Sequence, residues 1–282
     1  MDDELIRFGD SKGGVMELSS ARHAFVTGGA GGIGLGIADA LMEQGVCVTI
    51  ADIDRRALDE VTTRRGEGVR GVALDVRNRD SWAQAKMDAE SAFGPVDILV
   101  NNAGIGFNGR DVVDTDAEVF DLLVAIDLVG VFHGVAAFGA QMREAGHGHI
   151  VNTASIMGLT AGAPGRGAYS AVKSAVVSLS EALRLEMAPH GVGVSVLCPG
   201  LVRSNLDANT IRLGGHVEDA RHIKGAGDVG MTPAEAGACV LRGIARNLPY
   251  ILTHPEYLGH IEKRMDAIRV SANQASSQES MG

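Results

Sequence analysis

Cysteine and aromatic residues are both scarce in this chain, with three cysteines and 4% aromatics in 282 residues. Cys47, Cys198 and Cys239 lie far apart without a C-x-x-C pair, which excludes a disulfide framework and a zinc knuckle. Lone thiols in apolar surroundings read as reduced and buried, so a cytoplasmic location is expected. The lack of aromatics argues against an aromatic-rich β-sandwich, whereas 38 glycines suit tightly packed α/β layers. Positive charge is also short. With 25 Lys and Arg against 35 Asp and Glu the net charge is −10, the wrong sign for a nucleic-acid partner. Long apolar runs are missing too. The longest candidate, residues 128–140, contains His133 and falls short of the ~18 residues of a membrane span. The opening MDDELIRFGD is acidic and has no apolar stretch, so neither a secretory signal nor a membrane partner is expected. Nine histidines occur without H-E-x-x-H or a comparable set, so no metal is expected. His147 and His149 in GHGHI read as solvated turn residues.

What the chain does contain is a repeated alternation. Apolar runs at 23–27, 46–52, 71–76, 96–104, 149–155 and 193–199 read as strands. Between them, 33–44, 55–65, 80–93, 117–144 and 168–187 carry helical periodicity, with Val172, Val176, Leu179 and Leu183 forming one apolar stripe. β-α units of this length imply a parallel sheet covered on both faces, and right-handed crossovers make it doubly wound. The expected architecture is therefore α/β, a single doubly wound parallel sheet flanked by helices, over residues 21–270. Residues 1–20 read as a flexible extension and 271–282 as a disordered tail. Residues 204–231, with five glycines and weak periodicity, read as a lid. A last strand and a terminal helix are expected within 248–268.

The stretch TGGAGGIGLG, residues 27–36, joins a strand to a helix, the setting of a dinucleotide phosphate loop. Its glycines fit three registers: Gly29, Gly31 and Gly34; Gly28, Gly32 and Gly34; or Gly28, Gly31 and Gly34. Asp52 ends the second strand 18 residues beyond Gly34, where a carboxylate accepts hydrogen bonds from the adenosine ribose. The same charge repels a 2′-phosphate, so NAD is expected over NADP. Asp54, just before RRALDE, suits a helix cap instead.

Tyr169 and Lys173 stand at i and i+4, on one helix face. An ammonium beside a phenol favours the phenolate, which makes Tyr169 usable for acid–base work. NNAG (101–104), NTAS (152–155) and CPGLVRS (198–204) each follow a strand, at the edge where doubly wound sheets bind ligands.

These elements, in this order, resemble the short-chain dehydrogenase/reductase family from residue 22 to about residue 269. The resemblance implies a one-domain Rossmann fold and NAD(P)-linked exchange between an alcohol and a ketone, in a homodimer or homotetramer acting on a small molecule. It implies Tyr169 as the acid–base, Ser155 as the hydroxyl that orients the substrate oxygen, and Lys173 on the nicotinamide ribose. Gly28, Gly32, Ile33 and Gly34 would border the cofactor phosphates, selecting the T-G-x-x-x-G-x-G register, with Gly29 and Gly31 as added flexibility. Asp75 and Val76 would meet the adenine, and Asn102, Ala103 and Gly104 belong to the turn beside the cofactor, behind which Asn101 supports the central strand. Pro199, Gly200, Val202 and Ser204 would close over the nicotinamide.

Two features depart from the family pattern. The Ser155–Tyr169 interval is one residue longer than usual, an insertion near residues 161–162 that borders the substrate. Asp127 in AIDLVGVFHG occupies the place of a catalytic asparagine that holds a water in the proton relay. It is expected to preserve a slightly altered relay, accepting but not donating when ionised. HIVNTASIMGLT, GVGVSVLCPGLVRSN and the 248–268 segment are also similar to dehydrogenases of benzylic alcohols in lignin-derived aryl ethers. Two other readings stay open: a 3-oxoacyl thioester reductase using NADPH, against which Asp52 and the acidic surface count, and a catalytically silent NAD-binding scaffold, supported by Asp127 alone.

Overall fold

The structure, a computed structural model, describes residues 16–106, 109–160, 162–215, 217 and 230–279. Residues 1–15 of the expected extension, most of 216–229 in the expected lid and residues 280–282 lie outside the described residues. Seven strands form one parallel sheet in the order β3-β2-β1-β4-β5-β6-β7. They are β1 (His23–Thr27), β2 (Cys47–Asp52), β3 (Val69–Ala73), β4 (Ile98–Asn101), β5 (Gly148–Thr153), β6 (Val192–Cys198) and β7 (Tyr250–Leu252). The chain winds outward from β1 to β3, then returns to β4 on the other side of β1. Loops leaving β1 and β4 therefore diverge, and the crevice between them is where such sheets bind ligands.

Alternation along each strand divides the core in two. Phe25 and Leu99 point into one layer with Trp82, Phe138 and Met142; Val26 and Val100 point into the other with Ile37, Ile50 and Val240. The first layer is closed by α3 (Arg79–Phe93), α5 (Gly130–Ala145) and α7 (Gly167–Met187), the second by α1 (Gly32–Glu43), α2 (Arg55–Arg65) and α9 (Pro233–Ala245). Caps set the helix starts where the sequence places them: Asp54 accepts from Ala57 N at 3.1 Å, and Thr232 with Glu235 forms a capping box. The α9 helix was not evident from periodicity. It lies hard against α1, because a Cβ on Gly36 would stand 2.0 Å from Pro233 O and one on Gly237 2.2 Å from Gly36 O.

The helical region expected at 117–144 is continuous but not uniform. It runs as α4 (Ala117–Leu123), a π turn (Val124–Val129) and α5. Its 29 residues, 117–145, are long and apolar enough to match a membrane span by length and composition, more than the run at 128–140 indicated. Half of the apolar window is buried: Leu123, Ile126, Phe138 and Met142 belong to the core. Phe120 and Phe132 remain exposed on these helices.

Three expectations are corrected. His149 is not a solvated turn residue: it lies in β5, fully buried, with Nε2 2.9 Å from Ser195 Oγ, and burial lowers its imidazole to about 3. His147 is the exposed one. The extension is not loose throughout, because Met16 packs into the core beside Ala21 and Ala24. The segment from 271 is not a disordered tail as far as it is described: α10 (Leu258–Glu279) continues through it, Ala, Gln and Ser being compatible with helix even where residues 271–275 are fully solvated.

Candidate active site

The glycine loop turns from β1 into α1 with Gly28 at φ +61° and Gly32 at φ +53°, a region that disfavours side chains. Gly34 has ordinary angles but no room: a Cβ would meet Gly28 O at 2.3 Å and Asn102 Nδ2 at 2.6 Å. These three positions define the T-G-x-x-x-G-x-G register. Gly34 itself does not line the cavity, and its missing side chain lets α1 approach the loop. Gly29 is confined as well, with Ile50 Cγ2 2.7 Å from its would-be Cβ, so it is not spare flexibility. Gly31 is the one with space, its nearest neighbour being Asn205 Nδ2 at 3.9 Å.

Thr27 joins the two loops. Its Oγ1 accepts from Asn102 N at 2.9 Å and Ala103 N at 3.0 Å, while Asn102 Nδ2 donates to Thr27 O at 3.0 Å. Behind the turn, Asn101 Nδ2 donates to Asn152 Oδ1, tying β4 to β5. Thr27 and Asn152 stand inside the motifs, but their part in tying these loops together was not read from the sequence. Asp52 is held at the sheet edge by Ala30 N (3.2 Å) and Asp54 N (3.0 Å), with its carboxylate facing the loop. Asp75 is ion-paired to Arg77 at 2.7 Å, which holds its carboxyl below the ordinary range.

Ser155 follows β5 and caps α6 (Ile156–Leu159), accepting from Met157 N at 3.2 Å. The α6 helix presses onto α7: Ser174 Oγ donates to Gly158 O at 2.9 Å, and a Cβ on Gly158 would stand 2.7 Å from Lys173 O. That contact brings Ser155 to Tyr169. Lys173 Nζ lies 5.7 Å from the centre of the Tyr169 ring, donates to Thr153 O at 3.1 Å and stands 2.9 Å from Asp127 Oδ2. Asp127 is fully buried, and Oδ1 accepts from Ile105 N at 2.9 Å.

Asp127 does not reach the cavity. It sits behind Lys173, presented by the π turn and separated from the cavity where a catalytic residue was expected. Burial alone would lower Lys173; the Asp127 charge, aided by Tyr169, outweighs it and holds the ammonium above its ordinary value. Burial lifts the Asp127 carboxyl against the pull of Lys173. Tyr169 is raised by burial, Lys173 opposes that rise, Asp127 adds to it, and Ser155 and Arg166 favour the phenolate.

One cavity of about 610 Å³ runs past all of these groups. At one end it is walled by Gly28, Gly32, Ile33, Asp52, Asp75 and Val76. Its middle is formed by Asn102, Ala103, Gly104, Lys173, Pro199, Gly200, Val202 and Ser204, and its far end by Ser155 and Tyr169 with Met157, Arg166, Leu206 and Tyr257. Thus the expected residues converge, apart from Gly34 and Asp127. Met157, Arg166, Leu206 and Tyr257 were missed, since they come from scattered segments with no shared spacing. Part of the expected lid is a helix, α8 (Leu206–Arg212), anchored where Gly106 N donates to Thr210 Oγ1 at 2.7 Å. Among the described residues no His, Cys, Asp and Glu cluster could hold a metal.

The short chain dehydrogenase family model matches residues 22–212, and the chain belongs to that family of oxidoreductases. Within it, the chain is similar to the C alpha-dehydrogenase of Sphingobium, 32% identical over 259 residues that cover 87% of this chain and 84% of that protein. A probable oxidoreductase, EphD, of Mycobacterium tuberculosis is 38% identical over 189 residues, 66% of this chain but only 32% of that longer protein. The crystal structure of a short chain dehydrogenase/reductase from Burkholderia phymatum in complex with NAD superposes with a TM-score of 0.83 at 30% identity, covering 91% of this chain and 97% of that one.

Proposed function

We propose that the protein is an NAD-dependent dehydrogenase of secondary alcohols, or reductase of the matching ketones, with Tyr169 as proton donor and acceptor. The observation that carries this reading is the meeting of Ser155, Tyr169 and the buried Lys173 at one wall of the cavity whose other end is the Gly28–Gly32 turn. The turn fits a pyrophosphate: positive-φ glycines leave backbone N–H groups open at the start of α1, where the helix dipole favours an anion. Asp52 fits the two ribose hydroxyls of NAD and opposes a 2′-phosphate. Asp75, Val76, Asn102, Ala103 and Gly104 would hold the adenine side and middle of the dinucleotide; Pro199, Gly200, Val202 and Ser204 would hold the nicotinamide side. When bound there, the cofactor supplies the hydride acceptor or donor.

The chain's own part is proton transfer and orientation. Ser155 holds the substrate oxygen against Tyr169 Oη, which takes the hydroxyl proton during oxidation and returns it during reduction. Lys173 steadies the phenolate. Asp127 and Thr153 O fix the ammonium on the cavity side of α7, so the relay starts from an ion pair where the family pattern has an asparagine and water. The likeness to C alpha-dehydrogenase makes benzylic secondary alcohols the first substrates to try. The test is NADH formation over a panel of aryl, steroid, sugar and acyl secondary alcohols, for wild type and Tyr169→Phe. Loss of the phenol is expected to lower kcat by about a thousandfold. Equal rates in the two proteins would overturn the assignment of Tyr169, and tighter binding of NADP than of NAD would overturn that of the cofactor.

A further inference from the structure

Four cationic side chains line the cavity: Arg77, Arg166, Lys173 and Arg212. Three have counter-charges, Arg77 with Asp75 at 2.7 Å, Lys173 with Asp127 at 2.9 Å and Arg212 with Asp54 at 3.7 Å. Among the described residues Arg166 has none, and its guanidinium makes no hydrogen bond with them, although the side chain is half-buried. Elsewhere in this cavity the fold supplies each cation with a carboxylate. With 35 acidic residues against 25 basic ones, the chain had carboxylates to spare.

The position of Arg166 is as informative as its lack of a partner. It caps the start of α7, its carbonyl accepting from Ser170 N at 2.9 Å and its own N–H donating to Ala163 O at 3.0 Å. Three residues later on the same face stands Tyr169, near enough for the Arg166 charge to favour the phenolate. Met157, Leu201, Leu206 and the Tyr257 ring supply apolar wall to the same cavity, with the polar Asn205, Asp207 and Asn209 beside Leu206. A chamber with apolar wall and one planar cation that has no counter-charge among the described residues, beside the reacting hydroxyl, suits a ligand with an apolar body and one planar anion.

Resting on the dehydrogenase reading for where the carbinol sits, we infer that Arg166 binds a substrate carboxylate, so that the preferred substrate is a secondary alcohol or ketone bearing a carboxylate on an apolar, aryl-sized body. Arg166 is a specificity-determining residue. The carboxylate takes no part in the redox step: the alcohol loses a hydride to NAD and a proton to Tyr169, and the ketone leaves with its carboxylate unchanged.

The test compares acids with their own methyl esters. 3-Hydroxy-3-phenylpropanoate and 4-(1-hydroxyethyl)benzoate set a carboxylate near to and far from the carbinol, and each ester keeps the shape without the charge. Wild type is expected to prefer one acid over its ester by about tenfold or more in kcat/KM, the discrimination expected of a charged hydrogen-bonded pair. Arg166→Met is expected to abolish that ratio, and Arg166→Lys to restore part of it. The ratio is the readout because loss of the Arg166 charge also moves Tyr169 and so alters both rates. An ester preference in wild type, or a ratio unchanged in Arg166→Met, would overturn the assignment. If neither acid nor ester is turned over, the dehydrogenase reading fails on these substrates, and calorimetric titration of the matching keto acid and keto ester into protein with NADH decides the rest. Tighter acid binding that Arg166→Met removes supports Arg166, and equal binding overturns it.

Discussion

The two ends of the cavity are built by different means. The end beside Asp52 is made of main chain: glycine turns, strand ends and N–H groups, with side chains serving to clamp one loop to another. The Tyr169 end is made of side chains from α6, α7, α8 and the segment before α10, brought together by packing between short elements. Main-chain construction tolerates few changes, since the atoms that crowd a glycine cannot move without moving the sheet. Side-chain construction tolerates many, and under the proposed function that end would select the substrate.

Single substitutions can break or sharpen this contrast. The largest effect is expected from Gly34→Ala, whose Cβ would meet Gly28 O at 2.3 Å. Backbone cannot give way there, so stability should fall by about 3 kcal/mol, read as a Tm lower by roughly 8 °C. An unchanged Tm would show that the loop is softer than its contacts indicate. Asp52→Ala should leave Tm nearly alone and improve NADP binding relative to NAD by roughly thirtyfold, the release of one like-charge repulsion. Fluorescence titration with both reduced cofactors measures it, and a preserved NAD preference would remove Asp52 from its role.

At the other end, Leu206→Ala should cost less than about 1 kcal/mol, because the side chain is only half-buried on a short helix. Its mark is expected in KM for bulky alcohols, with KM for NAD unmoved; a parallel rise in both would mean that the two ends are not separable.

The subtlest change is Asp127→Asn. The Asp127 charge raises Tyr169, so its removal lowers the phenol's pKa and moves the rising, acidic limb of the alcohol-oxidation profile toward lower pH, with turnover retained. A shift toward higher pH would mean that Lys173, deprived of its counter-charge, gives up its proton. An unmoved profile would exclude any electrostatic part for Asp127.

Much of the dinucleotide end was legible before any coordinates. Thr27 to Gly36 is contiguous, Asp52 falls at a strand end, and both signals survive because backbone conformation is a local property. Tyr169 and Lys173 were legible for the same reason, four residues apart on one helix. Asp127 was found as a departure from a pattern, yet its direct ion pair with Lys173 was not, since a π turn leaves no mark in periodicity. His149 was misread because GHGHI resembles a turn, whereas β5 begins at Gly148 and takes the imidazole into the core.

The sequence by itself determined the doubly wound sheet and the placing of Tyr169 and Lys173 on one helix face, because period and short spacings are written along the chain, while the loop register and Ser155 followed from the family resemblance. Tertiary structure alone decided that Gly34 makes room for α1 against the loop, that Asp127 stands behind Lys173, and that Arg166 faces the cavity without a counter-charge among the described residues. Those facts depend on which atoms meet across the fold. A residue's neighbours from distant segments are set by packing, and no local pattern records them.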